Sequence, residues 1–182
     1  MSDVLNSLKN PNNKTIKSIL RSFAHMFGIY SDSDYVRLGR KVYKSRGLRK
    51  ILLEVKYIQL GSKLRIEIPS KTYKNIGDNF QLVHASSVVI HEDAVIGNSC
   101  TVYKGVSIGS VRNGKRKGVP IIQDRVCIHA NSVVAGGITI GHDSLIAACT
   151  FVDFDVPPHS VVIGSPGVIH HKEYASKDYI KE

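Results

Sequence analysis

The chain has no tryptophan, two methionines and three cysteines, Cys100, Cys127 and Cys149. With three cysteines and no CxxC pair, neither a disulfide framework nor a zinc knuckle is expected. Long apolar runs are missing as well: none approaches the roughly 18 consecutive residues of a membrane span. The opening MSDVLNSLKNPNNKTIKS lacks the basic stretch and apolar core of a secretory signal. These absences predict a cytoplasmic protein. What remains is 182 residues, 42% apolar and 22% charged, enough for one domain with a real core and a small appendage.

The net charge of +10 is unevenly placed. Residues 1–65 hold 14 Lys and Arg against 4 Asp and Glu, whereas residues 66–182 hold 11 of each. A uniformly basic protein would suggest nucleic acid, whereas a basic appendage on a neutral body suggests other partners. It suits an anionic membrane surface, an acidic partner or a phosphate-bearing ligand. A plain solvated helical face accounts for the same charges.

Residues 1–65 read as helical. NKTIKSILRSFAHMFG carries Ile16, Ile19, Leu20, Phe23 and Phe27 at helical spacing, with Asn12 or Asn13 as cap and Gly28 as stop. SDSDYVRLGRKVYKSRG restarts after Ser31–Ser33 and stops near Gly47. LRKILLEVKYIQLG forms a third segment ending at Gly61. Basic and apolar residues alternate in all three, so these are amphipathic helices that pack together or lie on a membrane surface.

From residue 66 a period of six replaces the helical one. Aliphatic residues fall at Ile76, Leu82, then after a two-residue slip at Ile90, Ile96, Val102 and Ile108. They resume at Ile122, Ile128, Val134, Ile140, Ile146 and Val152. Four positions after most of them stands a slim residue: Ala94, Cys100, Val106, Val126, Ser132, Ser144 and Thr150, with Ile138 the bulky exception. One short strand plus a tight corner occupies six residues, and three such units make a triangular coil. The aliphatic residue points inward and stacks on its equivalent in the next coil, while the slim residue fills the corner. Twelve positions give about four coils. A β-sandwich requires period-two alternation instead, which is weaker here.

Between Ile108 and Ile122, GSVRNGKRKGVPI adds eight residues beyond one hexad, among them Arg112, Lys115, Arg116 and Lys117. A polar, glycine-bearing segment has no place in the column, so it is expected to project as an arm, either as a binding element or as a tolerated insertion. The coil is expected to end at DFDVPPHSVVIGSPG, where Pro157 and Pro158 remove two amide donors. The tail HHKEYASKDYIKE reads as a short helix.

These features resemble the hexapeptide-repeat acyltransferases with a left-handed parallel β-helix, and in particular their serine acetyltransferase branch. The resemblance rests on IGDNFQLVHASSVVIHEDAVIG, VSIG, the loop 110–119 closed by Pro120, VPPH at 156–159 and GSP at 164–166, a run from Ile76 to Pro166. It implies a mainly β fold: a left-handed parallel β-helix of about four coils, with a small N-terminal α-helical region and a projecting loop. The expected organisation is a helical region over 1–65, the β-helix over 66–167 with its arm at 109–121, and a tail over 168–182. A homotrimer and acetyl-CoA as acyl donor are implied in the same way, with no metal.

By position, the resemblance makes His84 the general base that takes the proton from an acceptor hydroxyl, a task suited to neutral imidazole. The family orients this histidine with a carboxylate some fifteen residues earlier. Here IEI places Glu67 seventeen residues before His84, so the pairing carries a two-residue insertion. If made, it fixes the tautomer and stabilises the imidazolium. In this family acetyl-CoA lies along the coils between neighbouring subunits. Ala130 and Ala148 match positions that meet its pantetheine arm, and they are one coil apart. Gly164 and Pro166 match the segment near the nucleotide. Lys115, with Arg116 and Lys117, is placed to meet coenzyme phosphates or the acceptor, or simply forms a solvated charge run.

Three positions depart from the branch. Val83 replaces an acid before the base, Val119 replaces a histidine before the loop's final proline, and Gly118 replaces an arginine. The resemblance assigns all three to holding serine, and residues 1–65 are shorter than the family's helical domain. A related group with short basic N-terminal regions and IEIP openings sits among capsule, O-antigen and exopolysaccharide enzymes. The reading preferred on these grounds is transfer of acetyl to a sugar hydroxyl of a bacterial surface polysaccharide, with serine O-acetylation in cysteine biosynthesis as the alternative. The basic helices then suit peripheral contact with the inner face of the membrane, near lipid-linked glycans. Two further alternatives are a zinc carbonic anhydrase of the same fold, using histidines among His84, His91, His129 and His142, and a non-catalytic trimeric scaffold. The first lacks the HxxxxH pair such a site favours.

Overall fold

A computed structural model describes residues 31–180. The first expected helix, over 13–28, lies outside the described residues.

Helix α1 (Asp32–Lys44) has Asp32 and Asp34 in its first turn and Lys41 and Lys44 in its last, each sign suited to the helix dipole. Helix α2 (Gly47–Leu64) follows after a two-residue turn and ends on Arg65 in the left-handed region, φ 55°. Gly61, expected to stop this helix, lies inside it. A Cβ there would sit 2.9 Å from the Ile66 carbonyl oxygen and 3.3 Å from the Tyr35 ring. The glycine serves close approach rather than termination, and the helix runs one turn further. Tyr35 and Tyr57 stack at 4.6 Å, and Tyr73 meets Tyr57 edge-on at 6.3 Å. The Tyr57 hydroxyl donates to the Ile68 carbonyl, and Arg40 donates to the carbonyls of Ile76 and Gly77. These contacts seat both helices on the start of the coil.

The coil has three sheets. One stacks β1 (Ile66–Glu67), β3 (Val88–Ile90), β6 (Ser107–Gly109), β9 (Val133–Ala135) and β12 (Phe151–Val152). A second stacks β4 (Val95–Ile96), β7 (Ile121–Ile122) and β10 (Thr139–Ile140). The third stacks β2 (Gln81–Val83), β5 (Thr101–Tyr103), β8 (Cys127–Ile128), β11 (Leu145–Ile146) and β13 (Ser160–Ile163). All these pairings are parallel, and the chain visits the three sheets in rotation. The register follows the hexads: Ile90 opposes Ile108, Ile122 opposes Ile140, and Val134 opposes Val152. All twelve predicted aliphatic residues are at most 6% exposed, and the slim corner residues, Ile138 included, are buried with them.

Three details differ from expectation. The coil continues past the prolines, because Val156 bridges Ile140 and β13 pairs with β11. Pro157 and Pro158 turn a corner where no ladder donor is needed. They cross directly over Gly141, where a Cβ would lie 2.4 Å from the Pro158 nitrogen. Residues 168–182 begin with strand β14 (Val168–His171), antiparallel to β13, and the only helical piece described there is a 3-10 turn at Lys177–Tyr179. The segment 110–120, between β6 and β7, lies outside the sheets but folds back on the coil. Val111 bridges Gly118, Gly137 donates to the Arg116 carbonyl, and Arg116 pairs with Asp155 at 3.0 Å.

Candidate active site

The two-residue slip has a precise place. Leu82 opposes Val102, twenty residues on, whereas Ile90 opposes Ile108, eighteen on. The two extra residues are therefore accommodated between β2 and β3, at the corner that carries His84. His84 has φ 50° and Ser87 φ 54°, both in the left-handed region that non-glycine residues seldom adopt. The same backbone recurs at other corners of the coil, Ser99, Arg125, Asn131 and Cys149 among them, and at this enlarged corner His84 is exposed. Its neighbour Ala85 is buried, and the Ala85 amide donates to the Asp32 carboxylate at 3.1 Å. Helix α1 thus holds the backbone of the His84 corner.

Leu82, Val102, Ile128, Ile146 and Val162 are in register. Two residues beyond each stand His84, Lys104, Ala130, Ala148 and Gly164, which form one line along the same edge of the coil. Backbone bonds tie successive corners together: Asn131 donates to the Lys104 carbonyl at 3.0 Å and Cys149 to the Ala130 carbonyl at 2.9 Å. The amides of Ala130 and Ala148 make no hydrogen bond among the described residues. The line offers a base at one end and, beyond Lys104, the small side chains of Ala130 and Ala148 with N–H groups that no described residue accepts, while the Gly164 amide donates to the Thr150 hydroxyl at 3.2 Å. An extended chain with amide groups fits such a track. Beside it Tyr103 stacks on His129 at 4.6 Å, and Tyr179 closes edge-on at 4.8 Å. Burial lowers the His129 pKa, which favours its neutral form.

The remaining predicted site residues lie apart from this line to different degrees. Pro166 follows Gly164 and is exposed. Glu67 is exposed on β1, opposite Val89, and lines an open groove of about 710 Å³ with Glu54, Arg65 and Ser87. No hydrogen bond or ion pair joins Glu67 to His84 among the described residues. Lys115 sits at the tip of the arm between the first and second sheets, whereas the His84 line runs between the third and the first. One chain alone does not bring Lys115 to the line.

Burial pushes the Cys100 and Cys127 thiols up to about 12, so neither is a nucleophile near neutral pH. Among the described residues no group of three His, Cys, Asp or Glu side chains is arranged to hold a metal ion. Sequence reasoning missed Asp32, whose partner is 53 residues away and leaves no local pattern. It also missed Lys104, which the register itself places one coil above His84.

No protein-family model matches the chain. The serine acetyltransferase of Bacillus subtilis (strain 168) is 36% identical over 131 residues, 72% of this chain and 58% of that protein. The serine acetyltransferase of Staphylococcus xylosus is 31% identical over 163 residues, 88% of this chain and 71% of that protein. The chain belongs to the serine acetyltransferase family. It spans about half the length of several of these curated relatives. Among solved structures, the Neisseria gonorrhoeae serine acetyltransferase in complex with serine superposes with a TM-score of 0.60 at 29% identity, over 75% of this chain and 54% of that one. The soybean serine acetyltransferase apoenzyme gives 0.64 at 27% identity, over 75% and 56%.

The family gives the residue line a context. These relatives are named for serine, not for the sugar acceptor preferred from the sequence. Among the described residues no helix is long and apolar enough to cross a membrane.

Proposed function

We propose that the chain is an acetyl-CoA-dependent O-acetyltransferase acting on L-serine, with His84 as general base. The observation that carries this reading is the corner line from His84 through Ala130 and Ala148 to Gly164, in a chain of the serine acetyltransferase family. The pantetheine arm of acetyl-CoA runs along the line and accepts hydrogen bonds from the Ala130 and Ala148 amides. Gly164 and Pro166 lie toward the nucleotide end. The thioester then lies near His84. The imidazole takes the proton of the acceptor hydroxyl as its oxygen attacks the acetyl carbon. The tetrahedral intermediate collapses, the carbon–sulfur bond breaks, and the departing thiolate takes the proton from the imidazolium. Products are the O-acetyl ester and free CoA.

Several parts of this reading extend past one chain. Glu67 orients His84 and supports its imidazolium, and Lys115 meets coenzyme phosphates from the arm of a neighbouring subunit. The assembly is a homotrimer with a left-handed coil, in a cytoplasmic setting. The outward pair Val95 and Ile121, side by side on the second sheet, supports a subunit contact there.

Two observations favour a sugar hydroxyl as second reading. Val83, at the end of β2 beside the base, brings no charge to hold an amino acid. At Gly118, φ is 140° and a Cβ would lie 2.9 Å from the Gly137 Cα, so this backbone excludes the arginine of the resemblance. The deciding experiment follows free thiol released from acetyl-CoA with L-serine, simple sugars or purified glycans. The proposal expects L-serine to raise the rate at least about tenfold over acceptor-free enzyme. Turnover with a glycan and none with serine replaces it with the second reading.

A further inference from the structure

Helix α2 buries Tyr57, Leu60 and Gly61 against the rest of the fold. Its opposite side carries Leu48, Ile51, Leu52, Val55 and Ile58, each 50–72% exposed. Their spacing of three and four residues makes one continuous stripe along the helix. Isolated exposed leucines are ordinary, but five aligned aliphatic side chains on one face mark a partner surface. The stripe is flanked by exposed Arg49 and Lys56, and the one acid on the helix, Glu54, accepts a hydrogen bond from Ser70. At the N-terminal end of the stripe, Arg37, Arg40, Lys41, Lys44, Ser45 and Arg49 line a shallow groove of about 350 Å³. Arg37 is paired with Asp34 and Arg40 with backbone carbonyls, which leaves Lys41, Lys44 and Arg49 to face the groove's occupant.

We infer that this face of α2 docks on an anionic phospholipid bilayer. A bilayer surface presents an anionic layer over an apolar one, the two chemistries found here side by side. The aliphatic stripe enters the acyl boundary while Lys41, Lys44, Arg49 and Lys56 meet headgroup phosphates. A second copy of the helix fits less well, since it sets one basic rim against another with Glu54 already engaged. The inference does not depend on the acceptor or on the acetyl transfer.

The test is co-sedimentation of the full chain with phosphatidylcholine vesicles, with and without about 30% phosphatidylglycerol. Wild type is expected to pellet with the anionic vesicles and to be released by added salt. Two variants, Ile51→Asp/Val55→Asp and Lys44→Glu/Arg49→Glu, are each expected to lower the bound fraction at least about tenfold while keeping the wild-type thermal midpoint. Wild type that stays in the supernatant overturns the inference. So does binding that survives the aspartates, because charge alone then accounts for it. A fall in solution mass of Ile51→Asp/Val55→Asp by light scattering also overturns it and assigns the stripe to a second copy.

Discussion

Replacing Ile146 by alanine tests the inward column most sharply. Ile146 is fully buried, with Ile128 below it and Val162 above it in the third sheet. Neighbours on both sides are themselves fixed in ladders, so the site collapses little around the missing atoms. Isoleucine-to-alanine changes in such cores cost about 2–5 kcal/mol, and the rigid surroundings place this one near 3.5 kcal/mol. For a chain of this length that corresponds to a fall in thermal midpoint of roughly 7–14 °C. Val168→Ala is the control. Val168 lies on the edge strand β14 and is 55% exposed, so its loss is expected to stay within about 0.5 kcal/mol. Urea unfolding of both variants and wild type gives the comparison, at one protein concentration because assembly adds to apparent stability. Equal losses for the two variants refute a continuous buried column.

Asp32→Ala is expected to lower kcat for thiol release about tenfold with the KM for acetyl-CoA little changed, because the carboxylate fixes the corner that carries His84. Unchanged kcat removes Asp32 from that role. At the other end of the coil, buried Asp143 accepts from Ser176 and from His159 Nδ1 at 2.8 Å and holds the C-terminal segment down. Burial alone raises its pKa, but the Ser176 and His159 hydrogen bonds together hold it below the usual aspartate value of 3.8. A carboxylate lowered in the native state stabilises it above its unfolded value and loses that contribution as pH falls through the native one. Urea unfolding at pH 7 and pH 3 is expected to show a larger acid loss in wild type than in Asp143→Asn, and equal losses contradict the latch.

The coil was legible in the sequence because one physical constraint repeats. Each inward aliphatic residue stacks on the next, so an error at one position is corrected by eleven others. Even the slip near His84 was visible as a break in that repeat, and the structure explains it as an enlarged corner. Features that depend on single long-range contacts were not legible. Gly61 reads locally as a helix stop, yet its lack of a side chain is required by Ile66 and Tyr35. Pro157 and Pro158 read as the end of strand pairing, yet they cross a corner opened by Gly141. Asp32 reads as a helix-start residue, and only the folded chain brings it to Ala85. The acceptor depended on three replaced residues, and family membership weighs against the preference drawn from them.

Thiol release from acetyl-CoA with L-serine, compared between wild type and His84→Ala, tests the central claim most directly. The account predicts turnover by wild type and a rate lower by about a hundredfold or more in the variant, with folding and assembly unchanged. A variant that turns over as fast as wild type contradicts His84 as the base.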